Sequence, residues 1–227
     1  INHPESDFSL RVQEILKTRR SRKIIISQVV QSFNNKPKHI VKWLKNGGII
    51  LDEMSETTQA TIISEFIRYT PLLNKASVGQ YLASGDTSFD ATVRAKYINL
   101  FDLRDKPMLT ALRTFLGAFR LPGEAQQIDR LLQAFANETY MNSADAPLFA
   151  TADVAYLLSF SIIMLNTDLH NPNIKQENKM SLSGFIKQNK NYGQEVSAGK
   201  DLPLEFLVGI YNSIKTNELR KFEDDDD

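Results

Sequence analysis

Apolar residues recur at steps of three and four along nearly the whole of this chain, and no stretch of useful length alternates apolar with polar. Helical spacing turns one stripe of each segment inward, whereas a half-buried strand needs a period of two, so the pattern predicts an all-α protein. Leu10, Ile15, Ile24, Ile25, Val29, Val30 and Phe33 keep the helical step through the N-terminal stretch, and Pro37 ends it. Pro71 stops a second helix, Ser55 to Tyr69, whose stripe is Ile62, Ile63, Phe66 and Ile67. After the turn residues Gly85 and Asp86 come Val93, Tyr97, Ile98 and Phe101; Leu109, Leu112, Phe115 and Leu116 then mark a helix from Met108 to Phe119. Further helical patterns span about 124–140, 152–166, 181–190 and 203–219. Gly47-Gly48 reads as the end of a short helix, because glycine takes left-handed dihedrals readily at a C-terminus. The run Gly48-Ile49-Ile50-Leu51 is too brief to found a sheet. The sum is about ten helices, with no fixed repeat that would make a regular solenoid.

A chain of 227 residues can bury about 70% of its unfolded surface. Hydrophobic residues at 42% and charged residues at 24% place it among globular proteins and exclude disordered or collagen-like classes. Lysine and arginine number 27, as do aspartate and glutamate, a balance that argues against nucleic-acid binding as the main task. Glu223 to Asp227 form a self-repelling acidic end, expected to be a solvated tail. The remaining body is modestly basic, and its densest cluster is Lys17, Arg19, Arg20, Arg22 and Lys23. That cluster is either the wet face of a helix or a patch for a membrane or partner.

Cysteine is absent, which removes disulfides, thiolate metal sites and thiol nucleophiles. The three histidines, His3, His39 and His170, are scattered. No metalloprotease, phosphate-loop or dinucleotide motif accompanies them, so no metal or cofactor is expected. The start, INHPESDFSLRV, lacks a secretory pattern, and its abruptness suggests an excised domain. No run approaches the 18 or so consecutive apolar residues of a membrane span.

Two stretches carry chemistry. In Leu121-Pro122-Gly123-Glu124 the proline and glycine break one helix, and Glu124 falls at the first turn of the next. There the helix dipole favours a carboxylate by about 0.3–1 kcal/mol, so Glu124 is either a helix-terminal charge or an acid projected by a rigid turn. From Asp153 to Asn166 the chain is apolar almost all round. Val154, Leu157, Leu158, Ile162 and Leu165 make one stripe, and Tyr156, Phe160, Ile163 and Met164 another. Such a helix is central in its domain, or its second stripe lines a groove where aromatic and methionine side chains dock a partner. Asp168 and His170 could in principle orient and act as a base in a hydrolase, though no activated serine accompanies them.

FRLPGEAQQIDR, Phe119 to Arg130, and LSFSIIMLNTDLHNP, Leu158 to Pro172, resemble the two signatures of the Sec7 family, catalytic domains of guanine-nucleotide exchange factors for Arf-type small GTPases. Similarity reaches upstream through FNNKPKHIVKWL. The resemblance implies an all-α right-handed superhelix of about ten helices with an exposed hydrophobic groove. It would span 1–222, in two helical halves of about 1–116 and 117–222, followed by the tail at 223–227.

Residue by residue, the resemblance makes Glu124 an invasive glutamic finger. It makes Tyr156, Phe160, Ile163 and Met164 receptors for the GTPase switch regions, Asn171 a polar contact at the groove edge, and Asp153 and Arg120 charged positions near the interface. It implies catalysed nucleotide exchange rather than GTPase-activating chemistry, without cofactor, metal or nucleic acid, on GDP-bound and nucleotide-free Arf proteins. The setting implied is cytoplasmic, peripheral on Golgi membranes through regions outside this chain. Within the family the likeness points to the large Golgi factors of the Gea and GBF type, which have yeast members.

Ser161, Asp168 and Met180 fall where brefeldin A-sensitive members carry Ser, Asp and Met, beside Met164, while Phe160 stands in place of their Tyr. Aligning Met180 requires a short insertion around 176–178. The competing reading is a non-catalytic helical interaction module.

Overall fold

The computed structural model describes the backbone of residues 4–219 and side chains from residue 17 onward. The expected acidic tail at 223–227, and the side chains of Leu10 and Ile15, lie outside the described residues. Eleven α-helices and three single 3₁₀ turns make up the described chain, with no strand among them. In order they are α1 Pro4–Asn35, α2 Ile40–Asn46, α3 Glu56–Tyr69, α4 Lys75–Ala83, α5 Ser88–Asn99, α6 Met108–Leu116, α7 Ala125–Asn142, α8 Ala152–His170, α9 Leu182–Gln188, α10 Gln194–Ser197 and α11 Leu204–Thr216.

Local chemistry places most of the boundaries. Ser55, Asn74, Thr151 and Ser181 each accept a hydrogen bond from a backbone N–H of the first turn they precede, and Thr87 with Asp90 closes a capping box. Gly48 ends α2 with φ of 66°, while Gly47 keeps a right-handed conformation. Two helices, α4 and α10, escape the periodicity argument. α4 has Gly79 and Ser77 inside it and is buried on nearly every side, from Ser77 to Ala83. It therefore shows no two-faced stripe to recognise.

One apolar cluster runs from Val29 to Leu219 through both expected halves, with α7 packed on α4, α5 and α8. At its centre Phe115 stacks on Phe135 with ring centroids 5.1 Å apart and meets Phe119 edge-on at 5.0 Å. Tyr97 and Phe101 extend the array. α8 is long and apolar enough to cross a membrane on length and composition alone. Here Val154, Leu158, Ile162 and Leu165 are buried, and the helix lies against α7, α9, α10 and α11.

The corner between α3 and α4 holds Leu72 at φ of 68° with 85% of its surface exposed. A left-handed conformation costs a branched side chain about 1–2 kcal/mol, and an exposed leucine recovers little by packing. Leu72→Gly should raise stability by roughly 0.5–1 kcal/mol, after allowance for the greater freedom of unfolded glycine. In a thermal melt that is a rise of about 1–4 °C. A lower melting temperature would mean that Leu72 makes contacts that outweigh its strain.

Candidate functional site

α7 and α8 pack side by side, and the residues singled out above gather along this pair. Leu121, Pro122 and Gly123 carry the chain out of α6, and Glu124 is the residue just before α7, with extended dihedrals of −92° and 128°. It stands one position earlier than the first turn where the sequence pattern put it. Its backbone carbonyl accepts from the N–H groups of Gln127 and Ile128, but its side chain makes no capping bond. The carboxylate is exposed and accepts a hydrogen bond of 2.9 Å from the Gln127 amide.

The loop bearing this acid is clamped from below by α4. Arg120 donates its backbone N–H to the Lys75 carbonyl at 3.1 Å. Gly79 approaches so closely that an added Cβ would lie 1.8 Å from the Arg120 carbonyl oxygen. Arg130, one and a half turns into α7, donates to the Ala83 carbonyl at the far end of α4. Phe119, fully buried, anchors the loop in the aromatic core.

α8 separates into the two stripes seen in the sequence. The first is buried at Val154, Leu158, Ile162 and Leu165, with Leu157 only half-buried at its margin; on the second, Phe160 and Met164 are 45% and 47% exposed, with Tyr156 and Ile163 half-buried beside them. Positions 156, 160 and 164 are spaced by one turn, so their side chains form a continuous apolar strip. Tyr156 donates its hydroxyl to Asp129 of α7 at 2.5 Å. This hydrogen bond to a carboxylate, with burial adding to it, pushes the phenol up to about 12, so it stays a donor at neutral pH. The strip is thereby pinned to the helix that Glu124 begins.

The other expected residues occupy the ends of α8. Asp153 is exposed in its first turn. Asn171 caps its C-terminus, with its side-chain oxygen accepting from the Asn173 N–H at 2.9 Å. Asp168 accepts from the Met180 N–H at 2.5 Å, which draws the half-buried Met180 against the end of the helix. Ser161 does not share the strip: it is buried and accepts from the Asn189 amide at 2.8 Å, and Asn189 in turn accepts from the Tyr192 hydroxyl. Its influence on the strip is through the packing of α9 on α8.

The hydrolase pairing does not assemble. His170 donates from Nε2 to the Ile214 carbonyl at 2.8 Å, while Asp168 serves the Met180 backbone. The two side chains are committed to different neighbours. Among the described residues no cluster of His, Asp or Glu is arranged to hold a metal ion.

Asp129 and Gly79 are the site residues that sequence reasoning passed over. Asp129 lies within the first quoted motif, five residues after Glu124, but its partner is on another helix. Gly79 left only the weak signal of a glycine in a helical context.

A model of the Sec7 domain family matches residues 22–219. The chain is 40% identical over 206 residues to human (Homo sapiens) brefeldin A-inhibited guanine nucleotide-exchange protein 1, covering 91% of this chain and 10% of that protein. It is 40% identical over 199 residues to the ADP-ribosylation factor guanine nucleotide-exchange factor SEC7 of Saccharomyces cerevisiae, covering 88% and 9%. The chain thus spans about a tenth of the length of these relatives. Among solved structures, the Sec7p catalytic domain superposes with a TM-score of 0.70 at 39% identity, covering 85% of this chain and 94% of that one. A Sec7 domain bound to ARF1-GDP and brefeldin A superposes with a TM-score of 0.72 at 32% identity, covering 90% and 96%.

Proposed function

The chain belongs to the Sec7 domain family, and on that premise we propose that it promotes GDP release from Arf-family small GTPases, with Glu124 as the acting group. The observation that carries this reading is an exposed carboxylate on a braced turn, one helix away from the exposed strip of Phe160 and Met164. A GTPase holds GDP chiefly through its phosphate loop, a lysine and Mg²⁺. A carboxylate brought close to the β-phosphate repels that phosphate, competes for the space of the cation and offers the lysine another anion. The strip on α8 receives the switch regions and favours the nucleotide-free conformation by binding it better. Exchange requires no cofactor of the chain's own and no hydrolytic chemistry.

The partner is an Arf protein, first GDP-bound and then nucleotide-free. The setting is the cytoplasmic side of Golgi membranes, with recruitment through regions beyond this chain, as in large factors of the Gea and GBF type. The brefeldin A-inhibited relatives support placing Met164, Asp168 and Met180 beside that inhibitor's site, with Ser161 acting indirectly and Phe160 weakening the fit. A scaffold that used the same strip to hold an amphipathic helix would have no use for an acid on the adjoining turn.

Release of a fluorescent GDP analogue from a panel of small GTPases tests the reading. Acceleration confined to Arf proteins is expected, and no acceleration of any Arf would overturn it. Phe160→Ala and Met164→Ala should each weaken GTPase docking about tenfold or more, as truncated interface anchors do, while leaving the melting temperature nearly unchanged. Collapse of the melt would make these side chains core residues rather than a docking strip.

A further inference from the structure

Between Lys17 and Leu51 the chain carries nine lysines and arginines and not one aspartate or glutamate. This acid-free stretch folds as a single unit, α1 against α2 and the 3₁₀ turn between them, at the end of the molecule formed with α3 and α4. Its charge is concentrated in an overhang. Ile26, Val29 and Val30 face the body, the last two buried. The residues seven positions earlier, two turns up the same face, are Arg19, Arg22 and Lys23, and all three are exposed. The core-facing stripe of α1 thus becomes a basic stripe where the helix runs past the body.

Lys17 and Arg20 add positive charge on the outward side, and Ile24 follows them there at 50% exposure. None of the five basic side chains pairs with a described carboxylate. Farther along, Lys36, Lys38 and Lys42 are also exposed, and of the nine only Lys45 has a described ion pair, with Asp52 at 2.7 Å.

We propose that this face of α1 and α2 is a docking surface for an anionic lipid bilayer. The charge is spread around a helix instead of converging on a cleft, so it suits a diffuse sheet of phosphates better than a single bound phosphate. Exposed Ile24 within the same patch fits a surface with an apolar interior and has no counterpart in a nucleic-acid contact. An acidic protein helix would cover one stripe and leave the others unpaired. Lysine and arginine near an anionic membrane attract it over about a Debye length. Vesicle binding is independent of nucleotide exchange, so the loss of either property leaves the other reading intact.

The test is co-sedimentation of the chain with phosphatidylcholine vesicles, with and without about one third phosphatidylserine. Binding only to the phosphatidylserine vesicles, weakened at high salt, is expected. Replacing Lys17, Arg19, Arg20, Arg22 and Lys23 together by glutamine should lower the partition by at least about a hundredfold without moving the melting temperature. Replacing Lys175, Lys187, Lys190 and Lys215, exposed residues in and around α9 and α11, which pack on α8, should lower it less than about twofold. Three results would overturn the proposal: equal binding by the fivefold variant, competition by millimolar inorganic phosphate, or tighter binding to duplex DNA than to the vesicles.

Discussion

Glu124→Lys abolishes catalysed GDP release while the protein stays folded. An added charge about 4 Å from another, at an effective dielectric near 20, is worth on the order of 4 kcal/mol, equivalent to roughly a thousandfold in rate. Reversing the sign both removes the repulsion of the β-phosphate and supplies a cation that holds it. The fold loses little. Glu124 is exposed, makes no capping bond and gives up one surface contact with Gln127. A lysine at a helix N-terminus costs about 0.3–1 kcal/mol through the dipole, so the melt should fall by no more than about 4 °C. The measurement is release of a fluorescent GDP analogue beside a thermal melt of the same preparation. A well-folded variant that still exchanges at the parental rate removes the finger role, and Glu124→Gln should fall between the two.

Gly79→Ala is the second large effect, and its sign is opposite to what helix propensity alone would give. Replacing glycine by alanine inside a helix ordinarily stabilises by about 1 kcal/mol. At Gly79 the new methyl would lie 1.8 Å from the Arg120 carbonyl oxygen and 3.3 Å from the Phe119 ring. Neither neighbour can yield cheaply: Arg120 is tied by its N–H to Lys75, and Phe119 is fixed edge-on against Phe115 and Tyr97. The loop and α4 must separate by more than an ångström, at about 1–3 kcal/mol. Because that loop carries Glu124, exchange should fall at least about tenfold, as misplacement of an acting group by such a distance does.

Gly209 in α11 is the control. Nothing lies within 4 Å of a Cβ added there, so Gly209→Ala should stabilise by about 0.5–1 kcal/mol. If Gly79→Ala were as benign as Gly209→Ala, the bracing of the loop by α4 would be refuted.

The all-α class, most helix positions and the identity of the acid on the Pro-Gly turn follow from order along the chain, because each depends on neighbours within a few residues. The period of the apolar residues, the caps at Ser55 and Thr151, and the break at Leu121-Pro122-Gly123 are local properties. The two stripes of α8 were also legible, though not which of them would meet solvent. Burial decides that, and burial belongs to the assembled body: Leu158 and Ile162 lie against neighbouring helices, while Phe160 and Met164 remain exposed. α4 was invisible for a related reason. A helix enclosed on all sides loses the amphipathic pattern that reveals it, and its central glycine has meaning only beside the Arg120 carbonyl, 41 positions along the chain. The bond from Tyr156 to Asp129, the separate partners of Asp168 and His170, and the turning of Ser161 towards Asn189 are likewise pairings across helices. Local chemistry selects the elements, but which side chains meet is settled only when packing brings distant segments within bonding distance.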